Sequence, residues 1–263
     1  MFDLPTIIIE NTVDSEAIPP SLHVYSESMH LHPEIPDARP PDVCCDCPGA
    51  SCARNPSCAC KACQTLYGME VGLKGFMYTQ DGRLKDFEGI PIFECHEGCL
   101  CNDRCRNRVV QLRRRVHIKI AKTKKKGWGS DSVRKGTFIG TYSGEYISES
   151  EAQNRLRSDE GTFIDGGSFI FDLDFHHLLD FRPHYMIDGG NIGNTHKTHF
   201  TRTIRVSQTV VLLLAMSMRG NLAKALIAIF TEREIHPGEE LTLSYFGSIQ
   251  KVKANAWYNA VGP

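Results

Sequence analysis

Short runs of apolar and β-branched residues follow one another along the second half of the chain. Val116 to Ile120 alternates between apolar and polar positions, which is the period of a half-buried β-strand. Similar runs predict further strands at residues 7–9, 137–142, 169–174, 225–230 and 241–245, and the run at 225–230 is apolar enough to be buried. Many short strands with little helix predict a mostly β chain of the α+β class.

One stretch has the pattern of a helix, residues 148–157. Ser148 is placed to cap its N-terminus, and Glu151 stands in the capping-box position. The stretch from Gln64 to Phe93 contains Gly-rich, Asp-Gly and Glu-Gly turns, which predict a surface loop with short strands. Residues 1–43 are apolar and Pro-rich, and their Pro-Pro pairs interrupt regular structure.

Composition narrows the class of protein. The 263 residues are 41% hydrophobic and 23% charged, with a formal net charge of −1, so bulk charge does not argue for nucleic-acid binding. The longest apolar run, Val210 to Met216, is shorter than the ~18 residues that a membrane span requires. The first residues lack the basic and apolar regions of a signal peptide. We therefore expect an intracellular protein without a membrane segment.

Two basic stretches stand out against this neutral background. They are Arg113 to Arg115 and Lys122 to Lys126, the second interrupted only by Thr123. Either stretch has the charge to contact phosphates or an acidic partner. A solvated strand edge is the simpler explanation, and direct DNA contact stays open because the run is too short to argue it.

All 11 cysteines lie between Cys44 and Cys105, and nine of them form two tight groups. The first group is Cys45, Cys47, Cys52, Cys58 and Cys60, and the second is Cys95, Cys99, Cys101 and Cys105. Cys44 and Cys63 are left over. Thiols this crowded on short Pro, Gly, Asn and Ser loops are poorly placed to pair, whereas thiolates from such loops suit tetrahedral zinc.

The number of cysteines constrains the metal stoichiometry. Three tetrahedral zinc ions require twelve sulfur contacts, which nine cysteines supply when three of them each bridge two ions. The alternatives are a secreted disulfide scaffold, which the missing signal peptide disfavours, and a loose metallothionein-like cluster. A zinc ion enclosed by four thiolates has no open position for a substrate, so these ions are expected to be structural.

This cysteine pattern resembles the pre-SET zinc cluster of SET-domain histone lysine methyltransferases. The sequence after the cluster, Cys105-Arg106-Asn107-Arg108-Val109-Val110-Gln111, strengthens the resemblance. It is most similar to the fungal enzymes that methylate lysine 9 of histone H3 in heterochromatin. The resemblance covers residues 7–246 and implies a SET-type fold of short strands with an N-terminal triangular zinc-cysteine cluster. It also implies S-adenosylmethionine as cofactor, with three structural zinc ions.

Three motifs match the family's working segments. Lys126-Gly127-Trp128 resembles the first cofactor-binding segment, where glycine permits close backbone approach and the Trp face is able to stack on adenine or meet a cation. Tyr142-Ser143-Gly144-Glu145 resembles a strand whose tyrosine contacts the cofactor. In Glu239 to Tyr245, the final tyrosine corresponds to the catalytic residue, which orients the target amine. Each tyrosine also has a simpler explanation as a strand-end core residue.

The chain departs from the family at several positions. Leu243 stands where the family has a Phe or Tyr that limits the number of methyl groups added, and Phe169 replaces a second channel tyrosine. The product state therefore stays open. Residues 195–203 do not match the pseudoknot segment that binds cofactor, and no post-SET cysteines follow. Val210 to Met216 then stands where the family implies a polar active-site loop, a position in which an apolar run favours misfolding.

A shift of reading frame offers one explanation for this interval. With one choice of synonymous codons for residues 203–210, a shift of one nucleotide encodes Asn-His-Ser-Cys-Glu-Pro-Asn-Cys, the missing motif. The hypothesis is that part of 195–220 is out of frame, and that family-like sequence resumes at Ala225.

The resemblance implies four segments: a lead-in that wraps the SET domain (1–43), the pre-SET cluster (44–107), the SET domain (108–247, with 195–220 aberrant) and a tail (248–263). The implied partners are the histone H3 tail and chromatin-associated proteins, in the nucleus and on the chromosome. Two other functions remain: a catalytically impaired SET protein acting as a chromatin scaffold, and a zinc module that binds nucleic acid. Near-neutral charge and the long β-rich region disfavour the zinc module.

Overall fold

Two β-sheets carry the fold of this computed structural model. It describes residues 7–11, 24–25, 28–37, 43–87, 90–122, 132–158, 170–173, 184–190, 192–193, 201–202, 209–216, 224–237, 239 and 241–243. The strands of this part are β1 (Ile7–Asn11), β2 (Val24–Tyr25), β3 (His30–Leu31), β4 (Ile92–Phe93), β5 (Ile118–Lys122), β6 (Phe138–Tyr142), β7 (Glu145–Ser148), β8 (Ile170–Asp172), β9 (Tyr185–Asp188), β10 (Ile192–Gly193), β11 (Thr201–Arg202), β12 (Val210–Met216), β13 (Leu226–Thr231) and β14 (Thr242–Leu243). The helices are α1 (Ala59–Gly68), a 3₁₀ turn (Met69–Val71) and α2 (Glu149–Ser158).

The larger sheet has the strand order β11-β14-β12-β13-β6, with β4 pairing beside β12. The smaller sheet has the order β3-β7-β9-β8, and two further pairs join β1 to β5 and β2 to β10. The strands before residue 43 therefore all pair with strands that follow residue 117. The prediction of a mostly β, α+β chain is confirmed.

Most of the predicted elements form where the pattern placed them. β5, β6, β8, β13 and β14 overlap the predicted strands, and all six positions of β13 are buried. In α2 the Ser148 hydroxyl accepts a hydrogen bond from the Glu151 backbone N–H at 3.2 Å, which confirms the N-cap. The Glu151 carboxylate turns to Arg155 one turn later, at 2.8 Å from Nε.

The prediction of a surface loop between Gln64 and Phe93 is wrong. Helix α1 occupies its start and buries Cys60, Gln64 and Gly68, which lie four residues apart on one face. Farther along, Leu73, Met77 and Ile92 are at most 1% exposed and form part of the core. The Gln64 amide connects the two ends of this stretch, the spacer between the cysteine groups (residues 64–93). Its Nε2 donates to the Pro91 carbonyl at 3.1 Å, and its Oε1 accepts from the Phe93 N–H at 2.8 Å. The Gly-rich turns of this stretch connect residues that pack in the core, and the local sequence pattern does not show that packing.

The apolar run Val210 to Met216 is also placed differently from the expectation. It forms β12, which pairs antiparallel with β13 from Val210 opposite Thr231 to Ala215 opposite Leu226. Val210 and Ala215 are fully buried. The run therefore lies inside the larger sheet rather than in an active-site loop, and residues 211–213 between these two positions are partly buried.

The solvated strand edge proposed for the first basic stretch does not form. Arg113 to Arg115 precede β5, and the Arg114 side chain is buried. No helix in the described part of the chain is long and apolar enough to span a membrane.

Candidate metal centre and cofactor site

Two loops and one helical turn deliver the nine grouped cysteines. The first loop runs up to Cys58, Cys60 lies in the first turn of α1, and the second loop follows β4. Backbone hydrogen bonds hold the loops together, from the Leu100 N–H to the Cys45 carbonyl at 3.0 Å and from the Asn102 N–H to the Gly49 carbonyl at 2.8 Å. All nine cysteines are buried and form one cluster. The spacer thus folds back so that both groups share one site.

Three sulfurs form the centre of this cluster. The Sγ atoms of Cys45 and Cys52 are 3.7 Å apart, and each lies 3.9 Å from the Sγ of Cys95. Zinc bound to four sulfurs at 2.3 Å sets an S···S separation of about 3.8 Å along each edge of the tetrahedron. The observed spacing therefore fits sulfurs that share zinc ions.

The remaining cysteines surround this triangle. Sets of four sulfur atoms lie within 4.8 Å of one another: Cys45, Cys47, Cys52 and Cys58; Cys45, Cys60, Cys95 and Cys99; and Cys45, Cys52, Cys95 and Cys101. The Cys105 sulfur is 3.9 Å from that of Cys95. Sulfur-only donors at this spacing suit zinc, and the arrangement brings together all nine predicted ligands.

All 11 cysteines are free thiols, which contradicts the alternative of a disulfide scaffold. The two leftover residues stay outside the four-sulfur sets. Cys44 is exposed, with its sulfur 3.8 Å from His96 Nε2, and Cys63 packs at the edge of a hydrophobic core.

Donor groups surround the sulfurs. The Arg108 guanidinium, 6% exposed, places Nε and Nη2 each 3.4 Å from the Cys101 sulfur, and Nη2 also donates to the His96 carbonyl at 2.7 Å. Asn107 Nδ2 lies 3.5 Å from the Cys95 sulfur, and Asn55 Nδ2 lies 3.1 Å from that of Cys47. Such N–H donors stabilise thiolate charge and orient metal ligands. Asn107 and Arg108 belong to the motif that strengthens the family resemblance, but nothing in the sequence predicted that their side chains contact the cysteine cluster.

The cluster's electrostatics require positive charge. Burial raises the pKa of the Cys45 thiol to about 12, and burial also raises the pKa of Cys52. The Cys60 and Cys95 thiols hydrogen-bond to Cys99 and lower its pKa. Nine crowded thiols therefore ionise together only beside cations, which zinc and Arg108 are placed to supply.

A buried carboxylate joins this centre to the larger sheet. Glu94 precedes the ligand Cys95, and its Oε1 accepts from the Tyr78 hydroxyl and the Val109 N–H, each at 2.7 Å. Its Oε2 accepts from Gln111 Nε2 at 3.1 Å. Burial and the Glu94 charge raise the pKa of Tyr78 well above its ordinary value. Glu94 therefore couples the second cysteine loop (residues 95–105, the metal loop) to the β-core.

Tyr142 belongs to a separate part of the molecule. It ends β6 with its ring buried, and the ring centroid lies 4.6 Å from that of Phe171. Gly189 lies against the ring, since a Cβ there would come within 2.5 Å of the tyrosine hydroxyl. Gly144 likewise lies against the Asp188 carbonyl, since a Cβ there would come within 2.3 Å of the carbonyl oxygen. These small residues set how closely β6 and β9 approach around Tyr142.

Beside Tyr142, one arginine ties three elements together. Arg155 of α2 pairs with Glu145 of β7 at 2.8 Å, with Asp188 of β9 at 2.7 Å and with Glu151 at 2.8 Å. Burial opposes the Arg155 charge, but the carboxylate hydrogen bonds outweigh burial and raise its pKa. This network was not predicted; its one signal in the sequence was the spacing of four residues between Glu151 and Arg155, which puts both on the same face of a helix.

Four other predicted site residues, Lys126, Gly127, Trp128 and Tyr245, lie outside the described residues. The same holds for Phe169, and of Leu243 only the backbone in β14 is described. The structure therefore brings the nine predicted metal ligands together and places Tyr142 within the core.

Comparison with known families agrees with this geometry. The pre-SET motif matches residues 3–108, and the SET domain matches residues 130–246. The chain belongs to the SET-domain family. In this SET-domain protein the metal cluster corresponds to the pre-SET part, and the described strands from β6 onward correspond to the SET part.

The similar proteins are histone-lysine methyltransferases. The H3 lysine-9 specific enzyme of Schizosaccharomyces pombe is 32% identical over 250 residues, covering 93% of this chain and 48% of the relative. The enzyme of the same description from Cryptococcus neoformans var. grubii is 33% identical over 285 residues, covering 92% of this chain and 15% of the relative. This SET-domain chain thus spans about half or less of these curated relatives.

Solved structures share the fold. The Neurospora SET-domain protein DIM-5, a histone lysine methyltransferase, superposes with a TM-score of 0.74 at 24% identity, covering 94% of this chain and 97% of DIM-5. KRYPTONITE, solved in complex with mCHH DNA, an H3(1–15) peptide and SAH, gives 0.68 at 23% identity, covering 94% of this chain and 46% of KRYPTONITE. The expected SET-type fold is confirmed.

Proposed function

We propose that this chain is an S-adenosylmethionine-dependent protein-lysine N-methyltransferase that acts on histone H3, at lysine 9, in heterochromatin formation. The observation that carries the proposal is the similarity to two H3 lysine-9 specific enzymes over 92% and 93% of the chain. The enclosed sulfur cluster supports a structural role for the metal, because four thiolates leave no open coordination position.

The cysteine geometry supports three zinc ions as the metal complement. Cys45, Cys52 and Cys95 would be the bridging ligands, because their sulfurs form the central triangle. The terminal pairs would be Cys47 with Cys58, Cys60 with Cys99, and Cys101 with Cys105. Each ion then has four sulfur ligands, and every cysteine of the two groups is used.

S-Adenosylmethionine supplies a methyl group on a sulfonium, which a lysine amine accepts by in-line displacement. We assign its binding to Lys126, Gly127, Trp128 and Tyr142. Gly127 permits close backbone approach, and the Trp128 face offers a surface for the cation or for adenine. Tyr245 is the proposed catalytic residue, with its hydroxyl orienting the lysine amine and stabilising charge as the amine reacts.

We further propose the segment boundaries 1–43, 44–107, 108–247 and 248–263, with the first segment wrapping the SET domain. Pairing of β1 with β5, β2 with β10 and β3 with β7 supports this wrapping. A histone substrate implies the nucleus and the chromosome as location, with the H3 tail and other chromatin-associated proteins as partners.

Methyl transfer from labelled S-adenosylmethionine to an H3 tail peptide tests the activity, using zinc-loaded protein. Tyr245→Phe is expected to lower the rate by about 10²–10³-fold, because it removes one hydroxyl from the reacting centre. Tyr67→Phe is the matched control, since the Tyr67 ring stacks on Phe93 at 4.7 Å outside the proposed site. A peptide with arginine at position 9 should accept no label. Full zinc loading without transfer would contradict the proposal and favour the impaired scaffold.

A further inference from the structure

A cavity of about 40 Å³ lies at the junction between the pre-SET and SET parts. Its walls come from the lead-in before β3, from the loop that follows the last metal ligand, and from β6 and β13. The polar side chains in the wall are Ser28, Gln111, Arg113, Arg114 and Thr141. None of them belongs to the proposed metal or cofactor sites.

The cavity lies on the opposite face of the larger sheet from Tyr142. Tyr142 pairs with Ile227 and Thr141 pairs with Ala228, and neighbouring residues of a strand point to opposite faces. Thr141 and Leu226 line the cavity, whereas Tyr142 and Ile227 share the core cluster on the other face. The sheet therefore separates the cavity from Tyr142, the one residue of the site proposed for methyl transfer that the structure describes.

The cavity is basic. Arg114 is only 5% exposed, and its Nη1 donates to the Val116 carbonyl at 2.7 Å, which fixes the guanidinium in the wall. Arg113 beside it is exposed. Between Arg104 and Lys119 the chain has six arginines and no carboxylate. They outnumber the Glu94 carboxylate, which accepts hydrogen bonds from Val110 and Gln111 of the wall, so the surrounding field is positive.

The backbone at this point is strained. Arg113 has φ 63°, the one positive φ at a non-glycine residue in the part of the chain that the structure describes. A bulky residue in this conformation costs energy and occurs preferentially at functional sites. The turn, closed by the Arg113 N–H on the Val110 carbonyl at 3.1 Å, sets Arg113 and Arg114 against the same cavity.

We propose that this cavity binds a backbone phosphate of nucleic acid. A volume of 40 Å³ holds about three water-sized groups, which is enough room for the two non-bridging oxygens of a backbone phosphate. Arg114 presents a fixed planar donor set, Arg113 adds a second charge at the entrance, and Thr141 adds a neutral donor. A single phosphate site of this kind needs no extended basic face, so it is compatible with a net charge of −1.

Binding of a fluorescent DNA duplex to the zinc-loaded chain tests the proposal, with affinity measured over a range of salt concentrations. Arg113→Gln is expected to lower the salt slope by about 0.9 and the affinity about eightfold at 0.1 M salt, the amount for one lost phosphate contact. Arg115→Gln is the matched control, because it removes the same charge one residue outside the cavity wall. Its effect should be at most about twofold.

Arg114→Lys keeps the charge but removes the planar fork, and should weaken binding like Arg113→Gln. Equal losses for Arg113→Gln and Arg115→Gln would overturn the proposal in favour of diffuse attraction. Absence of DNA binding would also overturn it. Competition by polyglutamate as strong as by unlabelled DNA would instead assign the cavity to an acidic protein. The assay needs no methyl transfer, so its outcome is independent of the proposed enzyme activity.

Discussion

At the scale of single residues, two glycines determine how the strands approach around Tyr142. Gly144 directly precedes β7, and Gly189 directly follows β9. At each position a β-carbon would lie within 2.5 Å of a neighbouring atom. The Tyr-x-Gly-Glu motif therefore has a packing role that its resemblance to a cofactor-binding strand does not include.

Gly144→Ala should lower the free energy of unfolding by about 2–3 kcal/mol, the cost of overpacking a tight contact. The new methyl group would lie 2.3 Å from the Asp188 carbonyl oxygen, which is backbone and is held in β9. Gly72→Ala is the control: its φ is +75° but its surroundings are open, so it should cost only about 1 kcal/mol. Urea unfolding monitored by circular dichroism measures both, and equal costs would contradict the close approach.

At the scale of elements, strand β12 differs most from what the sequence predicted. The apolar run Val210 to Met216, expected in place of an active-site loop, forms a strand because β13 offers it a buried antiparallel partner over six residues. Thr209 anchors its start, since its backbone N–H donates to the Thr242 carbonyl at 3.1 Å. β4 extends the pairing from Ala215 onward. The segment from 209 to 216 thus satisfies its hydrogen bonds within the sheet.

Val210→Asp should abolish folding or cost more than about 3 kcal/mol, because it buries an unpaired carboxylate. Val71→Asp makes the same chemical change at a position that is 47% exposed, and should cost less than about 1 kcal/mol. Thermal unfolding distinguishes the two variants. A Val210→Asp protein as stable as its parent would show that this segment does not form β12.

The out-of-frame hypothesis for residues 195–220 stays a prediction. Pairing of residues 210–215 with β13 shows that this interval has a place in the sheet, but it does not address the reading frame. Sequencing the transcript tests the hypothesis, and codons that encode the motif in no frame would refute it.

At the scale of the whole molecule, the sulfur cluster is fastened to the β-core rather than standing apart. Glu94, Asn107 and Arg108 each contact both the metal loop and the segments beside it. Because the Asn107 amide also donates to the Phe93 carbonyl at 2.9 Å, the end of β4 depends on the order of the ligand loop. Loss of metal should therefore propagate beyond residues 44–107.

Removing zinc with a strong chelator should unfold the cluster and lower the midpoint of thermal unfolding of the entire described core, with recovery when zinc is returned.

Zinc content measured by atomic emission should be about three ions per chain. Cys95→Ser should lose more than one ion, because this sulfur is a proposed bridge. Cys44→Ser should retain the full content, since Cys44 lies outside the four-sulfur sets. Equal zinc content in the two variants would refute the bridging assignment.

Sequence alone determined the features that depend on local chemistry. Short loops hold the cysteines within each of the two groups close together, so their spacing predicted a metal site. The Ser148 cap and the runs that became β5, β6 and β13 were likewise predicted from neighbouring residues. These features require only the next few residues of the chain, which the sequence states directly.

Tertiary structure decided what depends on partners far along the chain. Gln64 and Pro91, 27 residues apart, make the spacer part of the core, and Thr209 and Thr242, 33 apart, anchor β12. Arg113 and Arg114 likewise come together with the lead-in, β6 and β13 only in the assembled protein, where all of them line the same cavity. Burial is a property of the assembled core, so a run of turns or of apolar residues does not by itself show which side chains become covered.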